Sequence, residues 1–419
     1  MFTRQTSVHT KAYKYMRILY LCQRIPYPPD RGDRIPVYHQ IRRLMENHEV
    51  VVGSLAHPGT RENAKALEKT FGVRVIAPEH SRSRQLWETT ASFLRGEPLT
   101  LGYFRNPELR RHIEAEFAKK PFDVIIIFSS SMAQYAEYYK HIPKIMHFCD
   151  VDSQKWASVA LNAHGLKRWI YRRESRTLLA YERKLAASFT ICCVVSHKEA
   201  ELFQKYIPGI PVHVLENGVD IDYFSAIPQK TDGMNIVFVG VMDYAPNIEA
   251  VTFFANHVWS KIREVHSQAR FIIVGANPSQ SVRDLAQIPG IEVTGYVKDI
   301  RPYLSAATIS IAPLGIARGV QNKILEAMSA GIPVLTTPEV ARGLPDGATG
   351  LVFTASREEF APALIYLINN ENIREKRARE ASEFIIRNNS WEVKLMALDD
   401  ILARVIQEPD FGSRGGDKK

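Results

Sequence analysis

Residues 318–337 read RGVQNKILEAMSAGIPVLTT: a loop, then a helix, then a buried strand. Gly331 closes the helix and Pro333 leads into the strand. Two cations, Arg318 and Lys323, and one anion, Glu326, surround the start of that helix. The first amides of a helix lack intrahelical partners and favour an anion, and Gly319 lets backbone approach a ligand closely. Lys323 would add a point charge there and Arg318 a planar fork that matches phosphate oxygens. Glu326, one turn further in, could accept from vicinal hydroxyls of a ribose. A surface helix with an i,i+3 Lys323–Glu326 pair, worth about 0.2–0.5 kcal/mol, explains the same spacing. Taken alone, the spacing favours that plainer reading.

Outward from this stretch, short apolar runs alternate with longer helical patterns. RILYLC, EVVVGSL, VRVIAP, DVIIIF, KIMHFCD, FTICCVVS and VHVLEN come first. After the polar stretch FSAIPQKTDG the alternation restarts with NIVFVG, RFIIVG, IEVTGY, ISIAPL, PVLTT and GLVFT. Near-continuous apolar strands separated by crossovers predict parallel sheets covered on both faces. The fold class is therefore α/β, with two doubly wound domains. The expected division is an extension over 1–15, an N-terminal domain over 16–223, a linker over 224–233 and a C-terminal domain over 234–390. A closing helix over 391–408 and a disordered tail over 409–419 complete the chain. Ligands of such sheets lie at the carboxyl ends of the strands, so two facing domains would make a cleft.

A chain of 419 residues suits two cores rather than one. Its 45% apolar and 24% charged residues exclude disorder as the default. The net charge of +9 makes phosphates, anionic lipids or nucleic acid attractive without choosing among them. Cys22, Cys149, Cys192 and Cys193 lie in apolar runs without C-x-x-C spacing, which favours buried thiols in the cytoplasm over disulfides or zinc. No run is long and apolar enough to span a bilayer, and the first fifteen residues lack the apolar centre of a signal peptide. No repeat or heptad appears, which excludes a solenoid or coiled coil.

Other strand ends carry polar residues. RIPYPPDRGDRIPVYHQIRRL follows the first strand with a proline-stiffened loop, then Gly32, Asp33 and Arg34. HFCDVDSQKW sets Asp150, Asp152, Ser153 and Lys155 after another strand, where either aspartate could cap the next helix. From Lys155 to Lys184 eight Lys/Arg face only two Glu, interleaved with Trp156, Trp169 and Tyr171. Such a stretch suits an anionic membrane surface, or equally a solvated helical face. RNA is disfavoured because no recognition module appears. The absence of G-x-G-x-x-G counts against a dinucleotide oxidoreductase.

GVQNKILEAMSAGIPVLTT resembles the donor-binding signature of glycosyltransferase family 4, retaining GT-B enzymes with two Rossmann-like domains facing across a cleft. The resemblance extends over roughly 16–405. It implies a nucleoside-diphosphate sugar as donor, with Glu326 on the ribose and Gly319, Val320, Gln321 and Asn322 near the diphosphate or sugar. The family motif has a second glutamate where this chain has Arg318. FVGVMDYAPNIEAV matches the family's first C-domain strand and loop, which places Gly240 on the donor side. The family's Arg and Lys are replaced there by Val241, Met242 and Asn247, so Arg318 and Lys323 are expected to resupply the charge. VTGYVKDI matches the strand end that receives the base, making Tyr296 and Val297 donor contacts. Gly32 would border the donor phosphates, with Asp33 and Arg34 on the acceptor side.

The resemblance also makes Ser196 in VVSHKEAELF and Asn217 in ENGVDIDYF acceptor-side residues lining the cleft, although an N-cap and a tight turn explain them as well. The family's N-domain histidine has no counterpart in FSSSMAQY. Asp152 and Ser129 stand in for it, Asp150 joins them on the acceptor side, and His147 is expected to be buried in its strand. The candidate catalytic residues are thus Arg318, Lys323 and Asp152, with no metal and no cofactor beyond the sugar nucleotide. The closest subgroup is the sugar transferases of PEP-CTERM/exosortase exopolysaccharide systems. Expected partners are the donor, a glycan or lipid-linked acceptor and an anionic membrane surface, but not nucleic acid. The expected location is cytoplasmic, on the inner face of the membrane. An epimerase, a phosphorylase and a non-catalytic sugar-nucleotide sensor share this architecture as alternatives.

Overall fold

The apolar runs become two parallel sheets in the computed structural model, which describes residues 15–161, 163–225, 233–315 and 321–407. The first sheet has the order β3-β2-β1-β4-β5-β6-β7. Its central strands are β1 (Arg17–Leu21) and β4 (Val124–Phe128), and each is buried at every residue. β1 is parallel to both β2 (Glu49–Gly53) and β4. The flanks are β3 (Arg74–Ile76), β5 (Lys144–Cys149), β6 (Ile191–Val194) and β7 (Val212–Val214). The second sheet has the order β10-β9-β8-β11-β12-β13. Here β8 (Asn235–Val239) is parallel to β9 (Arg270–Val274) and β11 (Ile309–Ala312). β10 (Ile291–Gly295), β12 (Val334–Thr336) and β13 (Phe353–Thr354) complete it. In both sheets strand order reverses beside the first strand, at β1/β4 and at β8/β11. That switch point opens a crevice at the carboxyl ends, where doubly wound sheets bind ligands.

The chain divides into two compact units. One holds the described residues of 1–194, 202–213 and 397–419; the other holds 195–201 and 214–396. The second begins before the expected linker because Val219 and Phe224 lie in its core. The Val219 amide donates to the Asn389 carbonyl at 2.7 Å. A Cβ on Gly218 would sit 2.6 Å from the Trp391 backbone, so the Asn-Gly turn has a packing reason for its glycine. Most of the expected linker, 226–232, lies outside the described residues, as do 1–14 and 408–419. The last helix, Trp391–Gln407, is tied by a Lys394–Glu216 pair of 2.6 Å in the second unit. Its later turns belong to the first unit, where Asp399 pairs with Arg43 at 2.7 Å.

Local signals set the elements that carry the site. The helix Asn322–Ser329 ends as its glycine predicts: Gly331 takes φ +70°, its amide reaches the Met328 carbonyl and the Ile332 amide reaches Ala327. Ile324, Leu325, Ala327 and Met328 are buried, so this is a core helix and not the surface helix of the plainer reading. Three cysteines are buried, while Cys149 is half-buried with φ +67°. No described helix is long and apolar enough to cross a membrane.

Candidate active site

In the second unit the site is built around the end of β8. The Gly240 amide donates to the Val274 carbonyl at 3.0 Å, and a Cβ on Gly275 would fall 1.7 Å from the Gly240 oxygen. The ends of β8 and β9 therefore meet as two bare backbones. A Cβ on Gly240 would lie 3.0 Å from Lys323 Nζ and 2.7 Å from Asn247 Nδ2. The glycine leaves that space to an amine.

Lys323 fills it from the first turn of the helix Asn322–Ser329. Its Nζ donates to Asn247 Oδ1 at 2.6 Å and lies 4.3 Å from the Phe238 ring centroid. Asn247 Nδ2 in turn donates to the Val241 carbonyl at 2.9 Å, which fixes the amide with its oxygen towards the amine. Burial lowers the Lys323 pKa to about 7, opposed by the nearby Glu326. Burial likewise raises Glu326 to about 7, opposed by Lys323. Among the described residues this amine is thus held at the switch point by one neutral amide and one aromatic face, with no carboxylate bonded to it. Such a group gains most from an incoming anion.

Ser196 and Asn217, expected in the N-terminal domain on the acceptor side, belong instead to this second unit, because the chain enters its core before residue 224. The remaining residues are placed as follows. Asn322 Oδ1 accepts from Asn217 Nδ2 at 3.3 Å, which joins the Asn-Gly turn to the same helix start. Gln321 is half-buried just before that helix. Arg318, Gly319 and Val320 lie outside the described residues. At the end of β10, Gly295 takes φ +70°, Tyr296 is 71% exposed and Val297 packs partly against the core. Beside them is a group the sequence reading missed. Tyr223 donates to Asp299 Oδ1 at 2.8 Å, and Arg301 Nη2 pairs with Asp299 Oδ2 at 2.8 Å. The Arg301 hydrogen bonds hold Asp299 down to about 2, against its partial desolvation. Ser196, also in this unit, caps the helix His197–Tyr206 by accepting from the Glu199 amide at 3.2 Å.

In the first unit the switch point is bridged by side chains. Gln23, just after β1, donates to Ser129 Oγ at 2.7 Å and Ser131 Oγ at 2.8 Å, just after β4. Ser129 has φ +76°, an uncommon conformation for a residue with a side chain. Asp33 is paired with Arg24 at 2.5 Å and Arg34 with Asp30 at 2.9 Å. A Cβ on Gly32 would meet nothing within 4 Å among the described residues, so their packing does not require a glycine there. His147 is buried and stacks on Phe128 at 4.9 Å.

At the end of β5, Lys155 pairs with both Asp150, at 2.6 Å, and Asp152, at 3.0 Å. Burial opposes its charge, but the two carboxylates outweigh that and hold its pKa well above the usual value. Neither aspartate supplies the acceptor for the Ser153 amide at the start of the helix Asp152–Leu161. That amide donates to Glu182 Oε1 at 3.1 Å, from the helix Gly165–Ser188. Glu182 is fully buried, and burial together with Asp152 pushes it up to about 8. Its sequence context, a long basic helix, gave no sign of this role. Gly275, by contrast, had a visible signal: IIVGANP repeats the strand-then-glycine pattern of VFVGVMD.

Comparison with known proteins bears on the fold and the class of the chain. Residues 34–223 match the family described as Glycosyltransferase Family 4, and residues 233–370 match Glycosyl transferases group 1. No curated protein sequence matches the chain. Among solved structures, sucrose-phosphate synthase from Thermosynechococcus elongatus superposes with a TM-score of 0.68 at 12% identity, covering 94% of this chain and 99% of that one. Anabaena Alr3699/HepE in complex with UDP-glucose gives 0.65 at 15%, covering 93% and 100%. WaaG, a glycosyltransferase involved in lipopolysaccharide biosynthesis, gives 0.62 at 17%, covering 92% and 99%. At these identities the structural likeness shows the fold. The family matches over both halves add the class: this chain belongs to the family 4 glycosyltransferases and is an enzyme of the GT-B fold with two Rossmann-like domains.

Proposed function

We propose that this glycosyltransferase moves a sugar from a nucleoside-diphosphate sugar to a glycan or lipid-linked acceptor, with retention of the anomeric configuration, in exopolysaccharide or cell-surface glycan synthesis. The observation that carries the donor assignment is the Lys323 amine at the end of β8. It is presented through a gap that only glycine at 240 leaves open and held by a neutral Asn247. A diphosphate resting against the start of the helix Asn322–Ser329 would meet this amine, the first helix amides and Arg318. Glu326, one turn on, suits the ribose hydroxyls, and Tyr296 and Val297 suit the base. Solved structures of similar fold were obtained with UDP and with UDP-glucose, which favours this ligand class.

What catalysis asks of the site is stabilisation of the departing diphosphate, and preorganised cations contribute most to that. Lys323 and Arg318 take this role without a metal ion. Asp152 and Ser129 are the acceptor-side candidates in the first unit, together with Asp150, Asp33 and Arg34. The enzyme works in the cytoplasm on the inner face of the membrane.

Thermal-shift titration with UDP-, GDP-, dTDP- and ADP-sugars tests the donor, since a ligand of the native state raises apparent stability. One sugar nucleotide should raise Tm, and Arg318→Ala should weaken its binding by about 1.5–3 kcal/mol. No stabilisation by any of them would reject the reading. Unchanged turnover in EDTA and an NMR assignment of the product anomer check the metal and stereochemical parts.

A further inference from the structure

The helix Arg82–Leu94 is folded inside out. Its buried residues are Gln85 and Ser92, whereas Leu86, Trp87, Phe93 and Leu94 face solvent. Leu86 is 71% exposed, Trp87 72% and Leu94 81%. At helical spacing these four and the exposed Thr90 fall on one stripe. The inward face is pinned by specific contacts. Gln85 Nε2 donates to the His80 carbonyl at 3.1 Å, Ser92 Oγ to Glu97 Oε2 at 3.1 Å, and Arg84 to Asn106 Oδ1 at 3.0 Å. A Cβ on Gly102 would lie 2.4 Å from the Glu88 carbonyl, so this side fits closely. The apolar stripe therefore points outward by construction.

The stripe continues onto the helix Gly165–Ser188. Trp169, 53% exposed, meets Phe93 edge-on at 6.1 Å, and the Arg173 guanidinium covers the Phe93 ring at 4.7 Å while donating to the Glu97 carbonyl. Arg168, Trp169, Arg172, Arg173 and Arg176 line a groove of about 540 Å³. Lys167, Arg172 and Arg176 are exposed. From 165 to 181 the sole acid is Glu174, which is buried and accepts the Leu99 and Thr100 amides at 2.6 and 2.8 Å. Along that stretch no other acid is present to neutralise the cations.

We propose that this face docks on an anionic lipid bilayer, with Trp87, Leu94 and Trp169 in the acyl boundary and lipid phosphates in the arginine groove. Apolar aromatics beside uncompensated cations are what an interfacial helix needs. A second copy of the chain fits worse, because a two-fold contact would set the same arginines against each other. The inference deepens the membrane location proposed above and rests on residues outside the donor site.

Sedimentation of the full chain with phosphatidylcholine vesicles, with and without phosphatidylglycerol, tests it. Binding should need phosphatidylglycerol and weaken as salt rises. The double variant Trp87→Ser/Leu94→Ser should bind at least roughly a hundredfold more weakly, as loss of two buried apolar side chains implies. Arg172→Gln/Arg176→Gln should lose the phosphatidylglycerol dependence. Both variants should keep the wild-type Tm and its shift with sugar nucleotide, so failure here is separable from failure of the donor reading. Equal binding to both vesicle types, or anionic binding that neither variant changes, would overturn the proposal. So would a dimer in light scattering that Trp87→Ser/Leu94→Ser dissociates.

Discussion

Diphosphate binding should draw a proton onto Lys323. In the free protein burial holds this amine down to about 7, so at pH 8 only roughly a tenth of the molecules carry the charge. A diphosphate beside Nζ would favour the ammonium form and return its pKa towards the ordinary lysine value of about 10.4. Binding at pH 8 would then take up about 0.9 proton, and apparent affinity would fall roughly tenfold per pH unit above 7. The choice of pH matters because Glu326, raised to about 7, is mostly ionised at pH 8 and contributes little of its own. Calorimetric titration with nucleoside diphosphate in buffers of different ionisation enthalpy reads the number directly, as the slope of observed against buffer enthalpy. Lys323→Met should flatten that slope and weaken binding. A slope of zero in the wild type, or an unchanged slope in Lys323→Met, would refute the placement of the diphosphate beside this amine.

Three further outcomes follow from single contacts. Gly240→Ala puts a methyl 2.7 Å from Asn247 Nδ2 and 3.0 Å from Lys323 Nζ, the ends of two side chains that can shift. It should lower diphosphate affinity about tenfold at nearly constant Tm, and unchanged affinity would show that the amine does not act there. Gly275→Ala sets a carbon 1.7 Å from the Gly240 carbonyl oxygen, a backbone atom that cannot move aside. A loss of about 3 kcal/mol or more is expected, and an unshifted thermal unfolding curve would contradict the packing of β8 against β9. Glu182 is pushed up to about 8 by burial and Asp152, so the native state binds more protons than the unfolded chain between about 4.5 and 8. Its contribution to stability is present below that window and lost as pH rises through it. The gap in Tm between Glu182→Gln and wild type should therefore move in favour of the variant from pH 5 to pH 8.5, and a constant gap would show that Glu182 titrates normally.

Period and punctuation made much of the architecture readable. Runs such as VIIIF and NIVFV cannot be half-exposed strands, because they have no polar alternate residues; only a sheet covered on both faces accommodates them. The end of the helix Asn322–Ser329 was equally local, since Gly331 supplies the left-handed residue that its closing hydrogen bonds require. Strand ends marked the site region, and Lys323 and Glu326 could be named from their motif.

What the sequence by itself determined was thus the class of fold, the strand runs and the family, all properties of residues near one another in the chain. Tertiary structure alone decided the partners. Lys323 meets Asn247 across 76 positions and Gln23 meets Ser129 across 106, pairings that no local pattern encodes. It also decided that Glu182 rather than an aspartate accepts the Ser153 amide, and that the helix Arg82–Leu94 turns its apolar side outward. The physical reason is that pKa and exposure depend on what surrounds a group in space. For those residues the surroundings come from distant segments brought together only when the sheets form.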